Sequence, residues 1–428
     1  HAGLLPPFER SGELVRPRLE SPGRGLIESA GFQKTDYRPS LSLEYVAPPS
    51  VNVGFSNFGS MLGGGIGLYW SDLLGQHNLM TAFQTSTTTE GGNFLNSLAG
   101  IVAYENQKSR WNWGIAGGQV PYLTGSYGRT LEYIEDEPFI VDQTIRYWEI
   151  SRQASMTLSR PFSRAQRIEF AGGFQNISYD AEGTIDVFSG VTGEYLGSQE
   201  FDFDVPDSLN LGIGSAALVY DTAIFGGTSP IMGQSYRLEA GISGGTLNFA
   251  TLLADYRKYA RLTGPLSLAG RVLHYGRYGS DSEDERMSDL SLGYPSLVRG
   301  YEAGSFTPRE CTQVSDQFLS CPTFDRIFGS RLLVANAEVR LQTLGALGII
   351  PSRGFPPVET AIFYDAGLAW RSKDVSQALG IPRRPMSSWG GSFRFNAMGF
   401  FIAQLSYVHA NDRPQRRWGW EFAVIPGF

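Results

Sequence analysis

A serine flanked by glycines is the first feature of the sequence that could carry covalent chemistry. Residues 241–245 read G-I-S-G-G and match the G-x-S-x-G pattern of serine hydrolases. That pattern places its serine on a sharp turn between a strand and a helix. Here strand-like residues 246–249 follow at once, which predicts a tight glycine hairpin instead. His274 and His409 lie in no supporting pattern, so no catalytic residue is predicted and the protein is not expected to be an enzyme.

Carboxylates and thiols are the next candidates, because they could bind a metal ion. Four carboxylates crowd residues 281–285 and could hold a divalent cation or ions that bridge lipopolysaccharide, but a solvated run of charge is the preferred alternative. Cys311 and Cys321 lie ten residues apart, far in sequence from the four histidines. A local disulfide formed in an oxidising compartment is expected, with two free thiols as the alternative. No metal site and no cofactor is predicted.

Alternation of apolar and polar side chains runs through most of the chain from about residue 40. It is clearest in residues 333–342 and at the C-terminus, where Trp418, Trp420 and Phe422 alternate with smaller or polar residues. A period of two indicates a strand with one apolar and one polar face. Sixteen strands are predicted, at 40–54, 61–71, 78–89, 95–106, 109–120, 142–159, 166–180, 207–224, 234–246, 247–260, 266–276, 331–345, 357–370, 386–397, 399–410 and 416–428. The long loops are predicted at 121–141, 181–206, 277–330 and 371–385.

The composition narrows what such a set of strands can be. The chain has 428 residues, of which 52 are glycine, 13% aromatic and 18% charged, whereas soluble domains carry about 25% charged residues. Without an apolar run of ~18 residues the chain is not a helical membrane protein. A net charge of -7 and the lack of a basic run exclude a nucleic-acid binder that works through bulk charge. An all-β fold is predicted, a membrane-spanning antiparallel barrel whose outer wall faces lipid, with a soluble protein of two packed sheets as the alternative.

The N-terminal residues differ from the rest of the chain. Residues 1–39 are rich in Pro, Gly and Arg and show no sustained period, which predicts an irregular segment or linker ahead of a barrel formed by residues 40–428. The first residues lack the charged and apolar regions of a signal peptide. We therefore expect that such a peptide has been removed or, preferably, that the sequence begins inside a longer chain. An even number of strands brings the N-terminal and C-terminal ends of the barrel chain to the same side of the membrane.

The most specific motif lies in the longest predicted loop, residues 277–330. A V-R-G-Y motif at 298–301 is followed by N-A-E-V-R at 336–340 and by F-Y-D-A-G at 363–367, and the chain ends in Phe428. This ordered set closely resembles the BamA/TamA/two-partner-secretion transporter superfamily of sixteen-stranded outer-membrane barrels, over the whole predicted barrel. The resemblance implies that the long sixth loop folds into the lumen, where the arginine of the motif meets acidic residues of the next two strands.

The alternation of inward and outward side chains along the next two strands independently predicts a site for that arginine. Glu338 and Asp365 fall on the polar faces of neighbouring strands and so point into the lumen. Two such carboxylates can engage a guanidinium, whose planar fork binds a carboxylate through two hydrogen bonds. A solvated loop charge is the alternative for the arginine. The predicted loop-locking residues are Val298, Arg299, Gly300, Tyr301, Glu338 and Asp365, and the predicted C-terminal signal strand carries Trp418, Trp420, Phe422 and Phe428.

The resemblance also implies a function. It points to a protein of the bacterial outer membrane, with both termini in the periplasm, that acts in the insertion or translocation of proteins. POTRA domains precede the barrel in that family, and residues 1–39 are too short for one. The alternatives are therefore a structural anchor that holds partner proteins in an outer-membrane complex, or a passive pore. The expected partners are outer-membrane lipid and lipopolysaccharide and periplasmic or surface proteins, and no nucleic acid.

Overall fold

Antiparallel strands form almost all of the protein in this computed structural model. It describes residues 36–47, 50–56, 59–88, 97–134, 137–315, 318–342, 357–372, 384–397, 401–413 and 417–426. The strands are β1 (Ser42–Val46), β2 (Ser50–Ser56), β3 (Gly59–Ser71), β4 (His77–Thr88), β5 (Leu98–Asn106), β6 (Asn112–Ile134), β7 (Glu137–Pro161), β8 (Gln166–Ser189), β9 (Tyr195–Asp202), β10 (Leu209–Asp221), β11 (Ile224–Phe225), β12 (Pro230–Gly245), β13 (Phe249–Thr263), β14 (Leu266–Tyr278), β15 (Leu290–Ser291), β16 (Thr312–Ser315), β17 (Phe318–Ser320), β18 (Phe328–Gly329), β19 (Arg331–Leu341), β20 (Val358–Trp370), β21 (Met386–Ala397), β22 (Phe401–Ala410) and β23 (Trp418–Pro426). Short helical turns occupy Ala303–Ser305, Pro308–Glu310 and Pro322–Asp325.

The main sheet has sixteen strand positions among the described residues, in the order of the chain. It contains nineteen strands, but β1 and β2 pair with successive parts of β3 and share one position. The strands β9, β10 and β11 share another, because β9 continues along β8 and β11 along β12. Within one connection, the short strand β15 pairs with β18, and β16 pairs with β17 in a hairpin between them. The predicted all-β, sixteen-stranded antiparallel fold is confirmed.

The sheet curls around the long connection between β14 and β19, residues 279–330, which we call loop 6. Loop 6 contacts β8 through Tyr179, whose hydroxyl donates to the Arg286 carbonyl, and contacts β23 through Glu421. Strands half the sheet apart therefore meet the same loop, as the wall of a barrel requires. Because all neighbours are antiparallel, loop 6 lies at one rim, and Ser42 and Pro426 lie at the opposite rim, here called the terminal rim.

The two faces of the wall follow the sequence alternation. On β20, Asp365 is fully buried whereas Ile362 is 70% exposed. On β23, Trp418, Trp420 and Phe422 are exposed on the outer face. An apolar outer face with polar groups turned inward is the arrangement of a barrel in lipid. Among the described residues, no helix has the length and apolarity to cross a membrane.

Two predicted loops are strands in the structure, so the predictions for 121–141 and 181–206 were wrong. Strands β6, β7 and β8 have 23, 25 and 24 residues, far more than the ~9–11 that cross a bilayer. Their excess length, with β9 and the connection after it, forms an extension that we call the crown, residues 121–150 and 179–208. Outside lipid a strand needs no continuous apolar face, so the alternation on which the prediction relied is weak there.

Two clusters of buried apolar side chains support loop 6 from opposite sides. One contains Val298 and Tyr301 of the loop together with Leu332, Val334 and Met386 of the wall. The other is formed by Ile177, Tyr179, Leu209, Leu211 and Leu247, with Met287 of loop 6 packed against it. Loop 6 is thus part of the core of the barrel rather than a surface excursion.

The chain divides into two compact units, His1–Ser40 and Leu41–Phe428. In the first unit only residues 36–40 are described, and they contain no helix or strand. The interpretation of residues 1–39 as an irregular segment or linker therefore stays a prediction.

Candidate functional site

Loop 6 reaches the wall at the glycine of its V-R-G-Y motif. Gly300 adopts φ 86°, a left-handed backbone conformation that side chains other than glycine rarely adopt. A Cβ atom there would lie 2.8 Å from Cγ1 of Val408 on β22, too close for real atoms. The Gly300 N–H donates a 2.7 Å hydrogen bond to Glu421 on β23. A glycine at this position therefore lets the motif lie directly against the last two strands.

Arg299 is enclosed by two carboxylates and an aromatic ring. Its Nε and Nη2 atoms donate to Asp365 at 2.7 and 2.8 Å, and its Nη1 lies 2.9 Å from Oε1 of Glu338. The guanidinium carbon stacks 3.5 Å from the ring centre of Phe363. Charge-assisted bidentate pairs of this kind are the strongest hydrogen bonds that proteins make. All these side chains are buried, so the pairing takes place with little water present.

Charges of opposite sign alternate through the buried interior of the barrel near this arginine. Glu338 also accepts from Arg394 at 2.7 and 3.0 Å and from Arg340 at 2.6 Å. Arg394 extends the network to Glu359 at 3.0 Å. We call the six residues Arg299, Arg340, Arg394, Glu338, Glu359 and Asp365 the lumen cluster. Three guanidinium groups face three carboxylates, so removal of one member leaves a buried charge uncompensated.

The other two motif residues fix the loop around this pairing. Val298 and Tyr301 are fully buried in the apolar cluster of loop 6. The Tyr301 hydroxyl donates to the Ser387 carbonyl at 2.8 Å, accepts from the Asp412 N–H at 3.1 Å and lies 3.2 Å from the Asp412 carboxylate. Burial, together with the nearby negative charge of Asp412, raises the pKa of Tyr301, so its hydroxyl stays protonated and available as a donor.

A second set of contacts holds loop 6 at its rim. Arg413, in the connection between β22 and β23, donates to both carboxylate oxygens of Glu310 at 2.7 and 2.8 Å. The same guanidinium donates to the Gly300 carbonyl and to the side chain and carbonyl of Ser305, and stacks on Phe306. The hydrogen bond from Arg413 holds the pKa of Glu310 below its usual value. We call this group of contacts the rim anchor.

Loop 6 also contains the two cysteines. Cys311 and Cys321 form a disulfide that closes the hairpin of β16 and β17, and the predicted disulfide is confirmed. The acidic residues at 281–285 serve as local acceptors: Asp281 accepts from the Asn248 N–H and Asp284 pairs with Arg286. Within the described part of the chain, no three or more potential metal ligands are grouped together.

The structure brings Arg299, Glu338 and Asp365 into direct contact, and it aligns Trp418, Trp420 and Phe422 on the outer face of β23. Phe428 lies outside the described residues. Ser243 of the G-x-S-x-G match lies within β12, and a turn and a further strand follow it rather than a helix. The serine therefore does not occupy the exposed turn of a hydrolase nucleophile.

Sequence reasoning missed several functional partners of the loop. Arg394, Glu359 and Glu421 could have been found, because strand parity turns each of them inward. Arg413 and Glu310 carry no such signal, since both lie in connections and meet only in the folded protein. Chemically, these groups can hold a loop inside a barrel and release it when charges separate. They do not form a nucleophile–base pair.

Comparison with known proteins agrees with this architecture. A family model described as the Omp85 superfamily domain matches residues 141–422. Among solved structures, BamA from Haemophilus ducreyi lacking POTRA domains 1–3 superposes with a TM-score of 0.52 at 15% identity, covering 96% of this chain and 77% of that one. CdiB from Acinetobacter baumannii gives a TM-score of 0.49 at 12% identity, covering 91% and 66%.

A comparison with curated proteins finds no match to this chain. At these identities the likeness to BamA shows the fold, and the family rests on the domain model, which spans well over half of the chain. The resemblance deduced from the V-R-G-Y motif and its two following strands is confirmed. The chain belongs to the Omp85 superfamily.

Proposed function

We propose that the protein is a non-enzymatic barrel that acts in the insertion or translocation of proteins at the bacterial outer membrane. Its terminal rim faces the periplasm in this proposal, and its outer wall meets outer-membrane lipid and lipopolysaccharide. The observation that carries the proposal is the buried pairing of Arg299 of loop 6 with Asp365 and Glu338 of the wall. Membership of the Omp85 superfamily supports it.

The pairing suggests how such a barrel would work. Loop 6 occupies the lumen next to β19–β23, so any substrate that passes there needs the loop to move. Breaking a buried ion pair by removing one partner costs on the order of 3–5 kcal/mol, because the other charge stays behind without water. The lumen cluster thus defines a closed state that is stable yet can be opened by an event that separates its charges.

Reconstituted protein in lipid vesicles provides the test. We expect Arg299→Ala, which frees loop 6 from its closed position, to raise the rate at which the vesicles insert or translocate an unfolded outer-membrane client by at least tenfold. Arg167→Ala, which removes an exposed arginine near the terminal rim, is the matched control and leaves the rate unchanged. Equal client rates for wild type and Arg299→Ala in folded barrels would remove the basis of the proposal.

Single-channel recording separates this function from that of a passive pore. With loop 6 in place, the wild-type barrel is expected to show low and intermittent conductance, and Arg299→Ala a larger and steadier current. A large steady current through the wild-type barrel would instead favour a pore.

The crown favours a second candidate function, an anchor that holds partner proteins. Its residues 121–150 and 179–208 include fourteen carboxylates and two arginines, so this one region carries a net charge of -12 in a chain of net charge -7. Tyr133, Tyr195 and Leu196 are exposed on it. Such a projecting acidic surface suits a basic partner protein.

Replacing residues 124–147 by a two-residue turn would shorten the crown and test the anchor function. If the anchor function holds, partner proteins that co-purify with the wild type at low salt are lost, while heat-modified migration on gels still reports a folded barrel. If the same partners are retained, the anchor function does not lie in the crown.

A further inference from the structure

A second element enters the barrel from the terminal rim. It is the connection between β10 and β12, residues 222–229, which we call the lower turn. The hydroxyls of Thr228 and Ser229 donate to Oε2 of Glu359 on β20, at 3.1 and 2.6 Å. Thr228, Ser229 and Glu359 are all buried. A glutamate with no exposed surface thus accepts both of these hydrogen bonds from a turn that ends at β12, four strand positions away.

The lower turn crosses the mouth of the barrel rather than following its wall. Its Gly227 carbonyl accepts a 2.8 Å hydrogen bond from Asn396 on β21, five strand positions from β12. A Cβ atom on Gly227 would lie 2.3 Å from Cβ of Pro357, so the turn lies directly against the residue before β20. The terminal rim is therefore covered next to β19–β21, the same strands that hold loop 6 from the other side.

A continuous chain of charged contacts joins the two elements. Arg299 of loop 6 lies 2.9 Å from Glu338, and Glu338 accepts from Arg394 at 2.7 Å. Arg394 donates to Oε1 of Glu359 at 3.0 Å, and the other oxygen of that carboxylate accepts from the lower turn. The five residues linked in this way are each more than nine-tenths buried: Arg299, Glu338, Arg394, Glu359 and Ser229. In such surroundings, moving one charge changes the best position of the next.

We infer that the lower turn is a second closing element of the lumen and that it is coupled to loop 6 through Glu338, Arg394 and Glu359. When Arg299 leaves Glu338, three guanidinium groups no longer balance three carboxylates. Arg394 then moves toward Glu338 and weakens its contact with Glu359, which loosens the lower turn. Coupling is reciprocal, so loosening the lower turn weakens the hold on loop 6 by the same factor.

Hydrogen exchange followed by mass spectrometry on the folded full chain in detergent micelles tests this coupling. Arg299→Ala is expected to speed amide exchange in residues 222–229 at least fivefold, although Arg299 does not touch that turn. In the other direction, Glu359→Gln is expected to speed exchange at residues 298–301. Gly227→Ala keeps every charge but pushes the lower turn away from Pro357, and is expected to act like Glu359→Gln. Heat-modified migration on gels identifies the variants that fold.

Arg413→Ala is the matched control, because it frees loop 6 at the rim anchor without touching the chain of charges. It is expected to speed exchange near residues 303–310 and to leave residues 222–229 at the wild-type rate. Because the coupling is reciprocal, the inference is overturned if folded Arg299→Ala leaves exchange in the lower turn unchanged. It is equally overturned if folded Glu359→Gln and Gly227→Ala both leave exchange at residues 298–301 unchanged. It is also overturned if Arg413→Ala loosens the lower turn as much as Arg299→Ala does. These measurements use no client protein, so they stand apart from the proposed function.

Discussion

Two sides of the same barrel hold loop 6 by different chemistry. On one side the short strands β19 and β20, of 11 and 13 residues, present buried carboxylates that pair with Arg299. On the other side β8 and β10 present an apolar cluster on which Met287 packs, below strands that continue into the crown. The first, ionic side adds directional ion pairs to the apolar cluster of Val298 and Tyr301, whereas the second side is mainly apolar.

The difference indicates which side sets the position of the loop. A bidentate ion pair is satisfied in one geometry only, and a misplaced partner leaves a charge buried without compensation. Apolar contacts change little when a side chain shifts, because burial of area is not directional. The ionic side should therefore fix the register of loop 6, whereas the apolar side contributes stability without fixing it.

The largest effect is expected from Asp365→Asn, which keeps the shape of the side chain and removes its charge. Arg299 then keeps Glu338 as its one carboxylate partner in the lumen cluster, and Glu338 also pairs with Arg340 and Arg394. The lumen cluster therefore carries an excess positive charge. We expect the free energy of unfolding to fall by about 3–5 kcal/mol. Tryptophan fluorescence during urea unfolding in micelles measures it, and trypsin cleavage within loop 6 reports the release of the loop.

The control for this prediction is Asp186→Asn on β8, outside the lumen cluster. It is expected to change the free energy of unfolding by less than about 0.5 kcal/mol, as surface substitutions usually do. If both variants unfold at the same urea concentration as the wild type, the ionic side does not hold the loop.

The opposite side is tested by Leu211→Ala. Leu211 is 2% exposed in the apolar cluster, and shortening it leaves a cavity. We expect a loss of about 2–3 kcal/mol, within the usual range for buried leucines. Because the ionic side remains intact, trypsin should cleave loop 6 no faster than in the wild type under native conditions. Fast cleavage in this variant would mean that the apolar side also sets the position of the loop.

The comparison also shows what could be predicted from the sequence. Period two identified all sixteen strand positions, because lipid demands an apolar outer face on every strand inside the bilayer. The same rule failed in the crown, where the buried face of β7 carries polar side chains such as Asp142, Thr144 and Arg146. The alternation of side chains turned Glu338 and Asp365 inward. The sharing of Arg394 by Glu338 and Glu359, and the reach of the lower turn to Glu359, depend on distances across the lumen that no local pattern carries.

A smaller effect is expected at the rim anchor. Arg413→Ala removes the buried guanidinium that joins Glu310, Ser305 and the Gly300 carbonyl. Since water can enter at a rim more easily than in the lumen, we expect a loss of about 1–3 kcal/mol, the usual penalty for a buried polar group left unpaired. Trypsin cleavage between residues 305 and 326 should become faster, while the pairing at Arg299 persists. Unchanged cleavage would show that the disulfide hairpin holds this part of the loop without the arginine.

The smallest effect is a dependence on pH that belongs to the ionic contacts alone. Arg413 lowers the pKa of Glu310 from its ordinary 4.5, so the folded protein binds this proton less readily than the unfolded chain. The stabilisation is therefore fully present above the unfolded pKa and is lost as the pH falls through the lower, folded pKa. We expect the difference in unfolding free energy between wild type and Glu310→Gln to shrink below about pH 4.5. The corresponding difference for Leu211→Ala should stay constant, because no group titrates at that leucine. If both differences shrink together, acid weakens the barrel as a whole, and the contrast between its ionic and apolar sides does not extend to the rim.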